Sequence, residues 1–314
     1  MALHVVVGAG LIGSATATLL TQAGHSVRLV SRSGRGTGQP GIEAVTLDAT
    51  DSAALSRVAT GAAALYNCAN PQYHRWPTDW PPIAASLLTA AERTGAVLVT
   101  MSNLYAYGPV DHPMTEDDPL AATSRKGRIR AGMWAEALAA HRDGRVRATE
   151  ARASDYFGPG ALDSAHLGNR VVPKVLAGQP VQVLGNPDAL HSWTYLPDIA
   201  RALVTLSTDA TAWGQAWHVP SNPPISQRAV IGKMAELAGM PAPKVTGIPR
   251  WVLRAGGLAS PLMRELGEVY YQFDRPFILD SSALSRTFGQ QPTPMGEALQ
   301  ATINWWRSRV RAAA

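Results

Sequence analysis

The stretch Leu3-His4-Val5-Val6-Val7-Gly8-Ala9-Gly10-Leu11-Ile12-Gly13 decides the fold of this chain. An apolar run ends in three glycines with the spacing G-x-G-x-x-G, and a segment with the apolar periodicity of a helix follows over 11–20. Such a run predicts a buried strand, and the glycines predict a tight turn that opens a helix. The expected order is therefore strand, turn and helix.

Each glycine of this pattern has a separate physical task. Gly8 permits the tight turn, Gly10 lets a phosphate group approach the backbone, and Gly13 lets the helix lie close to the strand. The free N–H groups at the helix start, at Leu11 and Ile12, join the positive end of the helix dipole there. The pattern therefore predicts a site for the pyrophosphate of a dinucleotide, although a glycine turn in another kind of α/β protein is the alternative.

The residues after the second predicted strand, 26–30, indicate which dinucleotide binds. An NAD site has an acidic residue there to hold the ribose hydroxyls, but this chain has Ser31, Arg32, Ser33 and, two residues on, Arg35. Guanidinium and hydroxyl groups bind a phosphate, and no carboxylate is present to repel one. We therefore expect NADP(H), with Arg32 as the main ligand of the 2′-phosphate. The alternative is a solvated basic loop.

The composition favours a folded protein that binds a small, phosphate-bearing ligand. Of the 314 residues, 46% are hydrophobic and 16% are charged, which is enough apolar matter for a sizeable core. The formal net charge is +5, and the basic residues are scattered except over 125–130, so no nucleic-acid partner is expected. The single cysteine, Cys68, allows no intrachain disulfide, and its place after an apolar run favours packing over a nucleophilic role.

Other function classes lack their signatures in this sequence. The histidines are dispersed, without His-x-x-x-His or Cys-x-x-Cys spacing, so no metal site is expected. Neither a Gly-x-Ser-x-Gly elbow nor a Walker sequence occurs, which argues against a hydrolase or an NTPase. Since no apolar run is long enough to span a membrane and no signal-peptide pattern is seen, we expect no membrane partner and a cytoplasmic protein.

Strand and helix patterns alternate through the first half of the chain, which predicts a parallel sheet with helices on both faces. The second half is richer in proline and glycine. We therefore expect a Rossmann-type, doubly wound α/β fold over 1–155, with 191–217 returning to it, and a smaller, mainly substrate-binding lobe over 156–314. The predicted strands are 3–7, 26–30, 42–47, 62–67, 96–101, 146–152, 181–184 and 216–220, and the predicted helices are 11–20, 51–58, 83–93, 129–141, 197–206, 227–238, 265–271 and 295–310.

Several motifs in their order resemble the extended short-chain dehydrogenase/reductase family, which includes the NAD-dependent epimerases and dehydratases of nucleotide sugars. By this resemblance Asp48 and Ala49 lie beside the adenine, the turn of Asn67, Cys68 and Ala69 runs under the cofactor, and the segment around 191–206 returns to the nucleotide-binding lobe. The motifs are the three glycines, Asp48-x-x-Asp51, Ser102 to Gly108, Arg152-x-x-Asp155-x-x-Gly158-Pro159-Gly160, and His191 to Ala200.

The chain departs from the family at its catalytic pair, a tyrosine and, four residues later, a lysine. The corresponding segment of this chain contains no tyrosine. Alignment on Glu136 places Arg128 and Gly132 at the two positions, and an alternative register leaves Lys126 and Arg130 as the surviving cations. The usual proton donor is absent in either register, and arginine cannot replace it because it stays protonated.

Other residues are candidates for the missing chemistry. The family residue that hydrogen-bonds the substrate carbonyl falls on Ser102 or Asn103. Tyr105, in the loop after the fifth strand, could be the acid/base if Lys126 or Arg130 lowered its pKa, although packing against the second lobe is the alternative. Further residues fall where relatives contact their substrates or at the pocket edge, and these candidates are Asn70, Asp155, His166, Asn169 and His191.

Four functions remain open at this point. The first is an NADP(H)-dependent reductase of a small metabolite carbonyl, imine or activated alkene with an atypical proton donor. The alternatives are an NAD(P)-dependent sugar-nucleotide epimerase or dehydratase, a catalytically inactive dinucleotide-binding regulator, and a protein that uses the pocket for non-redox chemistry on a bound metabolite. The partner is in each case a small molecule, and the resemblance allows a homodimer through the helix over 130–141, since relatives often dimerise through a four-helix interface.

Overall fold

The computed structural model describes residues 1–163, 165–257 and 260–313. Its strands are β1 (Leu3–Val7), β2 (Ser26–Ser31), β3 (Ile42–Thr46), β4 (Ala62–Asn67), β5 (Val97–Asn103), β6 (Ala148–Ala153), β7 (Asp155–Phe157), β8 (Val181–Leu184), β9 (Leu190–His191), β10 (Trp193–Tyr195), β11 (Ala216–His218), β12 (Ile225–Ser226) and β13 (Val245–Ile248). Its α-helices are α1 (Leu11–Gln22), α2 (Ser52–Ala59), α3 (Trp76–Thr94), α4 (Arg125–Arg142), α5 (Val172–Leu176), α6 (Leu196–Thr208), α7 (Gln227–Leu237), α8 (Arg250–Gly256), α9 (Pro261–Val269), α10 (Tyr271–Asp274), α11 (Ser282–Phe288) and α12 (Met295–Ala313).

A seven-stranded sheet organises the first half of the chain. The strand order is β11-β6-β5-β4-β1-β2-β3, and every neighbouring pair is parallel. The order reverses at β1, because β2 and β3 lie on one side of it and β4 to β6 on the other. A crevice at the carboxyl ends of β1 and β4 is the place where such sheets bind ligands. The expected α/β doubly wound fold is confirmed.

Both faces of this sheet are covered by helices, because the strands are apolar at consecutive positions. Val6 of β1 joins the core that α1 and α6 cover, whereas Val5 and Val7 join the core that α2, α3 and α4 cover. A further apolar cluster holds the C-terminal half together around α5, α7 and α12. No helix in the described ranges is long and apolar enough to cross a membrane.

The helices α3 and α4 begin well before the starts that their sequence pattern predicts. The helix expected over 83–93 begins at Trp76, and Pro81 and Pro82 lie inside it. Each internal proline costs roughly 3 kcal/mol. Trp76 and Trp80 are both buried, and burying two indole rings stabilises these turns by about 8 kcal/mol, more than the prolines cost. The helix expected over 129–141 begins at Arg125, after the N-cap Ser124.

The second half of the chain contains short strands and helices. The expected helix over 265–271 is divided into α9 and α10, and the described residues between Gly160 and α5 form turns. The pairs β7–β10, β8–β13 and β9–β12 form small separate sheets. By contrast, α6 packs against α1, and β11 pairs with β6. These parts of the chain, which come from the segment that was expected to return to the first lobe, therefore lie with the main sheet.

We expect Asp198→Ala to destabilise the fold, because Asp198 ties α6 to the segment before α12. Its buried carboxylate accepts hydrogen bonds from the backbone N–H and the hydroxyl of Thr293, both at 2.7 Å, and pairs with Arg201 at 2.7 Å. Loss of these charged hydrogen bonds is expected to lower the free energy of unfolding in urea by about 2–4 kcal/mol. The exposed Asp117 is the control, and equal stability of Asp117→Ala and Asp198→Ala would contradict the expectation.

Candidate functional site

The turn between β1 and α1 forms a cradle for an anion. Gly8 has a φ of +109°, and a Cβ atom there would lie 2.5 Å from the carbonyl oxygen of Cys68. A Cβ atom on Gly13 would lie 1.9 Å from the carbonyl oxygen of Gly8, so only glycine allows the helix to approach this closely. Gly10 faces open space instead, because a Cβ atom on this residue would have no heavy atom within 4 Å.

The first turn of α1 has unused hydrogen-bond donors. Its N-cap, Gly10, has no side chain, and the first bond within the helix runs from the N–H of Ser14 to the carbonyl of Gly10. In the described part of the chain, the N–H groups of Leu11, Ile12 and Gly13 therefore find no acceptor. Free N–H groups at the positive end of a helix suit the pyrophosphate of a dinucleotide.

The end of β4 forms the other wall of the crevice. The side chain of Asn67 is buried and accepts a hydrogen bond from the N–H of Ala69 at 3.3 Å, while Asn70 is exposed beyond it. The N–H of Cys68 donates to the carbonyl of Val7 at 2.8 Å, which places Cys68 beside β1. Burial raises the pKa of the Cys68 thiol to about 12, so this cysteine packs and is not a nucleophile.

The end of β2 offers groups for the adenosine ribose. The Ser31 hydroxyl is buried and has no hydrogen-bond partner, which marks a place for a polar ligand atom. Arg32, Ser33 and Arg35 are exposed, and no carboxylate oxygen of the described residues lies within 4 Å of either guanidinium. With the free donors of α1, the unpaired Ser31 hydroxyl shows that these residues fit a dinucleotide.

Asp48 lies near these groups at the end of β3. Its carboxylate accepts hydrogen bonds from the backbone N–H of Thr50 at 3.0 Å and from the Thr50 hydroxyl at 2.9 Å, and Ala49 lies between the two. These bonds, together with the charge of Arg32, lower the pKa of Asp48. The carboxylate is therefore ionised and held in one orientation beside the predicted adenine position.

Asn103, the last residue of β5, has an amide group oriented toward hydrogen-bond donation. Its Oδ1 accepts a hydrogen bond from the N–H of Tyr105 at 3.1 Å, and its Nδ2 has no acceptor in the described residues. The neighbouring Ser102 is only 2% exposed. Of the two candidates that the sequence left open, Asn103 is therefore the more exposed one, and its amide donor is unused at this edge of the sheet.

Tyr105 is buried and forms a hydrogen bond with Tyr73 at 2.6 Å between the two hydroxyl oxygens. Burial, and the charges of Tyr73 and Asp155, raise the pKa of Tyr105 well above its usual value. Burial also raises the pKa of Tyr73 to about 12. The expectation that a nearby cation lowers the pKa of Tyr105 is therefore wrong, because these larger effects act in the opposite direction.

The inward face of α4 carries Lys126 and Arg130, whereas Arg128 is exposed. The Lys126 side chain is 1% exposed, and its Nζ forms ion pairs with Glu265 and Glu268 of α9. These two carboxylates neutralise the charge that was expected to act on Tyr105.

Arg130 has a packing role. Its guanidinium lies 4.8 Å from the ring centroid of Trp76 and 4.4 Å from that of Trp80, as in cation–π contacts. Burial lowers the pKa of Arg130 to about 10, which still leaves it protonated at neutral pH. The side chains of Lys126 and Arg130, the two residues of the alternative register, thus face inward. Both are engaged by protein groups, so neither is free to assist a proton transfer.

Asp155 and His191 form an ion pair across 36 positions of the sequence. His191 Nε2 lies 2.9 Å from Asp155 Oδ2, and its Nδ1 lies 3.1 Å from the carbonyl oxygen of Gln272. Asp155 starts β7, directly beyond the end of β6, and its charge acts on Tyr73 and Tyr105. These side chains therefore belong to one cluster.

Two other predicted substrate residues have protein partners. His166 Nε2 donates to Gln227 Oε1, the His166 ring stacks on Phe273 at 4.5 Å, and burial lowers the pKa of His166 to about 4. Asn169 Nδ2 donates to Asp163 Oδ1 at 2.7 Å. His166 is therefore neutral and lies in the same aromatic group as His191, while Asn169 is bound within its own turn.

Sequence reasoning missed several residues of this cluster. Tyr73 lies in a proline- and tryptophan-rich segment ahead of the predicted helix over 83–93, and the density of aromatic residues is the only signal there. Tyr271 and Gln272, which follow α9, had no motif to mark them. Glu265 and Glu268 reach Lys126 over 139 and 142 positions, a separation that no local pattern reveals.

The glycine cradle and the order of the sheet are those of the doubly wound folds that bind dinucleotides. The model of the NAD dependent epimerase/dehydratase family matches residues 4–219, and the chain belongs to this family. The resemblance found in the sequence is thereby confirmed.

Comparison with single proteins agrees with this family. The dTDP-glucose 4,6-dehydratase of Salmonella typhimurium is 24% identical over 163 residues, which are 49% of this chain and 39% of that protein. The chain thus aligns with less than half the length of this curated relative. The corresponding dehydratase 1 of Escherichia coli is 23% identical over 168 residues, which are 50% of this chain and 40% of that protein.

Solved structures share the whole fold. An epimerase of Methanothermobacter thermautotrophicus has a TM-score of 0.83 at 19% identity, with 99% of this chain and 94% of that one covered. A dTDP-glucose 4,6-dehydratase of Bacillus anthracis in complex with NAD has a TM-score of 0.81 at 17% identity, with 99% and 98% covered. The comparisons support a nicotinamide dinucleotide cofactor, and they favour the epimerase or dehydratase alternative over the reductase.

The glycines allow a matched test of the cradle. We expect Gly13→Ala to lower the free energy of unfolding by about 1–3 kcal/mol, because its Cβ atom collides with the Gly8 carbonyl. Gly10→Ala has room, so its stability should stay within about 0.5 kcal/mol of the parent protein while dinucleotide binding weakens. Urea unfolding and nicotinamide fluorescence measure the two effects. Wild-type stability of Gly13→Ala would disprove the close approach.

Proposed function

We propose that this protein uses a nicotinamide dinucleotide to oxidise a hydroxyl group of a sugar nucleotide transiently, as an epimerase or dehydratase does. The observation that carries the proposal is that the family match over 4–219 coincides with a glycine cradle whose N–H donors are unused. Relatives named as dTDP-glucose dehydratases and a UDP-glucuronic acid 4-epimerase support the sugar-nucleotide class.

Residues at the carboxyl ends of the strands would have separate roles in binding and in the reaction. The first turn of α1 holds the pyrophosphate, and Ser31 and Asp48 contact the adenosine end. Bound dinucleotide supplies a hydride acceptor and donor at its nicotinamide ring. Asn103 Nδ2 donates a hydrogen bond to the oxygen of the reacting carbon, which stabilises that oxygen as a carbonyl forms. The Tyr73 and Tyr105 hydroxyls, which stay protonated, orient substrate hydroxyl groups.

The finer choice of cofactor rests on Arg32. We propose a preference for NADP(H), since β2 ends in Ser31 and Arg32 and not in an acidic residue. The similar proteins whose structures contain a cofactor hold NAD. Arg32 is the residue by which this chain would differ from them in cofactor preference. The charge of Arg32 contributes to the lowered pKa values of Asp48 and Asp79, which supports a place for the guanidinium near the adenosine end.

A reductase is the second candidate, and one observation favours it. NADPH is the usual cofactor of reductive reactions, so a 2′-phosphate site at Arg32 would suit a carbonyl, imine or activated alkene as substrate. The absence of the Tyr-x-x-x-Lys pair removes the base with which relatives begin an oxidation. An enzyme of this kind would oxidise NADPH while it reduces its substrate, and the reaction would need no sugar nucleotide.

We expect Arg32→Ala to weaken NADPH binding by about 10-fold to 100-fold, because a guanidinium–phosphate contact contributes about 1.5–3 kcal/mol. NADH binding should change by less than about 2-fold, since NADH carries no 2′-phosphate. Nicotinamide fluorescence titration measures both dissociation constants. Arg57→Ala, an exposed residue of α2, removes the same charge elsewhere and serves as the control. Equal weakening of NADPH and NADH binding would count against the assignment.

The proposed oxidation is tested by mixing the purified protein with NADP⁺ or NAD⁺ and then with dTDP-glucose or UDP-glucose. The absorbance of reduced nicotinamide should rise and, if the hydride is returned, fall again without a second substrate. Chromatography of the sugar nucleotides then shows epimerisation or loss of water. Tight dinucleotide binding with no reduction by either sugar nucleotide would overturn the proposal and leave the reductase or an inactive regulator.

A further inference from the structure

The carboxylate of Asp155 uses only one of its two oxygen atoms within the protein. Oδ2 accepts the hydrogen bond from His191, and Oδ1 has no hydrogen-bond partner among the residues that the structure describes. The side chain keeps 23% of its surface exposed, whereas the His191 side chain keeps 2%. One oxygen of Asp155 is therefore free for a ligand, on the side away from the buried histidine.

The hydrogen bonds of His191 fix the orientation of its ring. Nδ1 lies 3.1 Å from the carbonyl oxygen of Gln272 and Nε2 lies 2.9 Å from Asp155 Oδ2. Aromatic rings enclose the imidazole, since Phe273 stacks on it at 5.4 Å and Trp193 packs at 4.3 Å. His191 is therefore fixed on both sides and holds one oxygen of Asp155.

Asp155 is ionised in spite of its burial. Burial alone would raise its pKa, but the hydrogen bond and the charge of His191, with a contribution from His166, lower the pKa of Asp155 overall. The groups that face this ion pair come from several elements. They are Tyr73 before α3, Tyr105 after β5, Tyr271 of α10, and His166 in the turns before α5.

None of these neighbouring groups is a base at neutral pH. Burial raises the pKa of Tyr73, Tyr105 and Tyr271, so their hydroxyls keep their protons. His166 is neutral, but its ring is bound to Gln227 and stacked on Phe273. The Glu268 carboxylate is bound through both oxygens to Lys126, at its N–H and at its Nζ. Glu265 also keeps one oxygen unused, but its carboxylate is paired with the Lys126 ammonium. Asp155 is the carboxylate whose charge acts on Tyr73 and Tyr105, and its Oδ1 is unused.

We propose that Asp155 is the catalytic base that replaces the missing tyrosine, and that His191 is its positioning residue. The inference rests on the proposed function. The substrate O–H bond breaks and its proton moves to Asp155 Oδ1, while the carbon gives up a hydride to the oxidised nicotinamide and the C–O bond becomes a carbonyl. On return of the hydride to carbon, the Oδ1–H group gives the proton back to the oxygen. Oδ2 stays bonded to His191 throughout.

This assignment fixes the direction of the pH dependence. A carboxylate with a lowered pKa is ionised throughout the range from about pH 6 to pH 9, so the hydride-transfer rate should be flat there. A base with the raised pKa of Tyr105 would instead give a rate that rises tenfold per pH unit over the same range.

Single-turnover reduction of bound NADP⁺ or NAD⁺ by dTDP-glucose or UDP-glucose is the first readout. Asp155→Asn keeps the shape of the side chain, and we expect its rate to fall by about 100-fold or more, with dinucleotide affinity within about 2-fold. Asp143→Asn, at the far end of α4, is the matched control and should react as the parent does. Tyr105→Phe should lose less than about 10-fold. Equal losses for Asp155→Asn and Tyr105→Phe, or no loss for Asp155→Asn, would overturn the assignment.

Nitrogen NMR of the histidine rings is the second readout and needs no substrate. The Nε2 signal of His191, assigned by comparison with His191→Gln, should show a proton hydrogen-bonded to a carboxylate, and this signature should be lost in Asp155→Asn. A His191 Nε2 with no hydrogen-bonded proton in the parent protein would overturn the pairing and the assignment together. If the parent reduces its cofactor with neither sugar nucleotide, the proposed function fails and the base role with it. A parent that reacts while Asp155→Asn reacts equally well contradicts the base role alone.

Discussion

The close approach of α1 to the end of β1 is the constraint on which the rest of the structure depends. A Cβ atom at Gly13 would lie 1.9 Å from the Gly8 carbonyl, and one at Gly8 would lie 2.5 Å from the Cys68 carbonyl. Backbone therefore packs on backbone at the point where the strand order reverses. This packing directs the unused N–H groups of α1 into the crevice, and the carboxyl ends of β4, β5 and β6 then line the same edge.

The two halves of the chain meet at the inward face of α4. Where the family carries its catalytic pair, Lys126 bonds to two carboxylates of α9 and Arg130 lies against two indole rings of α3. These buried cations now hold elements together, because removing one partner of a buried ion pair costs about 3–5 kcal/mol. We propose that Asp155, on the neighbouring strand end, takes over the role of the missing tyrosine. The hydrogen bond with His191 holds one of its two carboxylate oxygens in place.

Local patterns in the sequence predicted the elements well where one kind of signal dominated. The glycine spacing and the apolar runs predicted β1 and β4 to the residue. The predicted start of α3, at residue 83, was wrong because the two prolines before it are typical of a loop. The burial of Trp76 and Trp80, which stabilises the earlier turns, can be known only from the tertiary structure. The candidate residues included Asp155, His191 and Lys126, but not their pairings. Such pairs join residues 36 to 142 positions apart, and their electrostatics depends on burial that no spacing encodes.

A crystal structure of the protein with NADP⁺ bound tests the central claim most directly, namely that one sheet edge brings the cofactor and Asp155 together. The account predicts the pyrophosphate on the N–H groups of Leu11 to Gly13, the 2′-phosphate on Arg32, and the nicotinamide ring between Asn103 and Asp155 Oδ1. A dinucleotide bound with its nicotinamide away from Asp155, or a crevice that excludes the dinucleotide altogether, would contradict it.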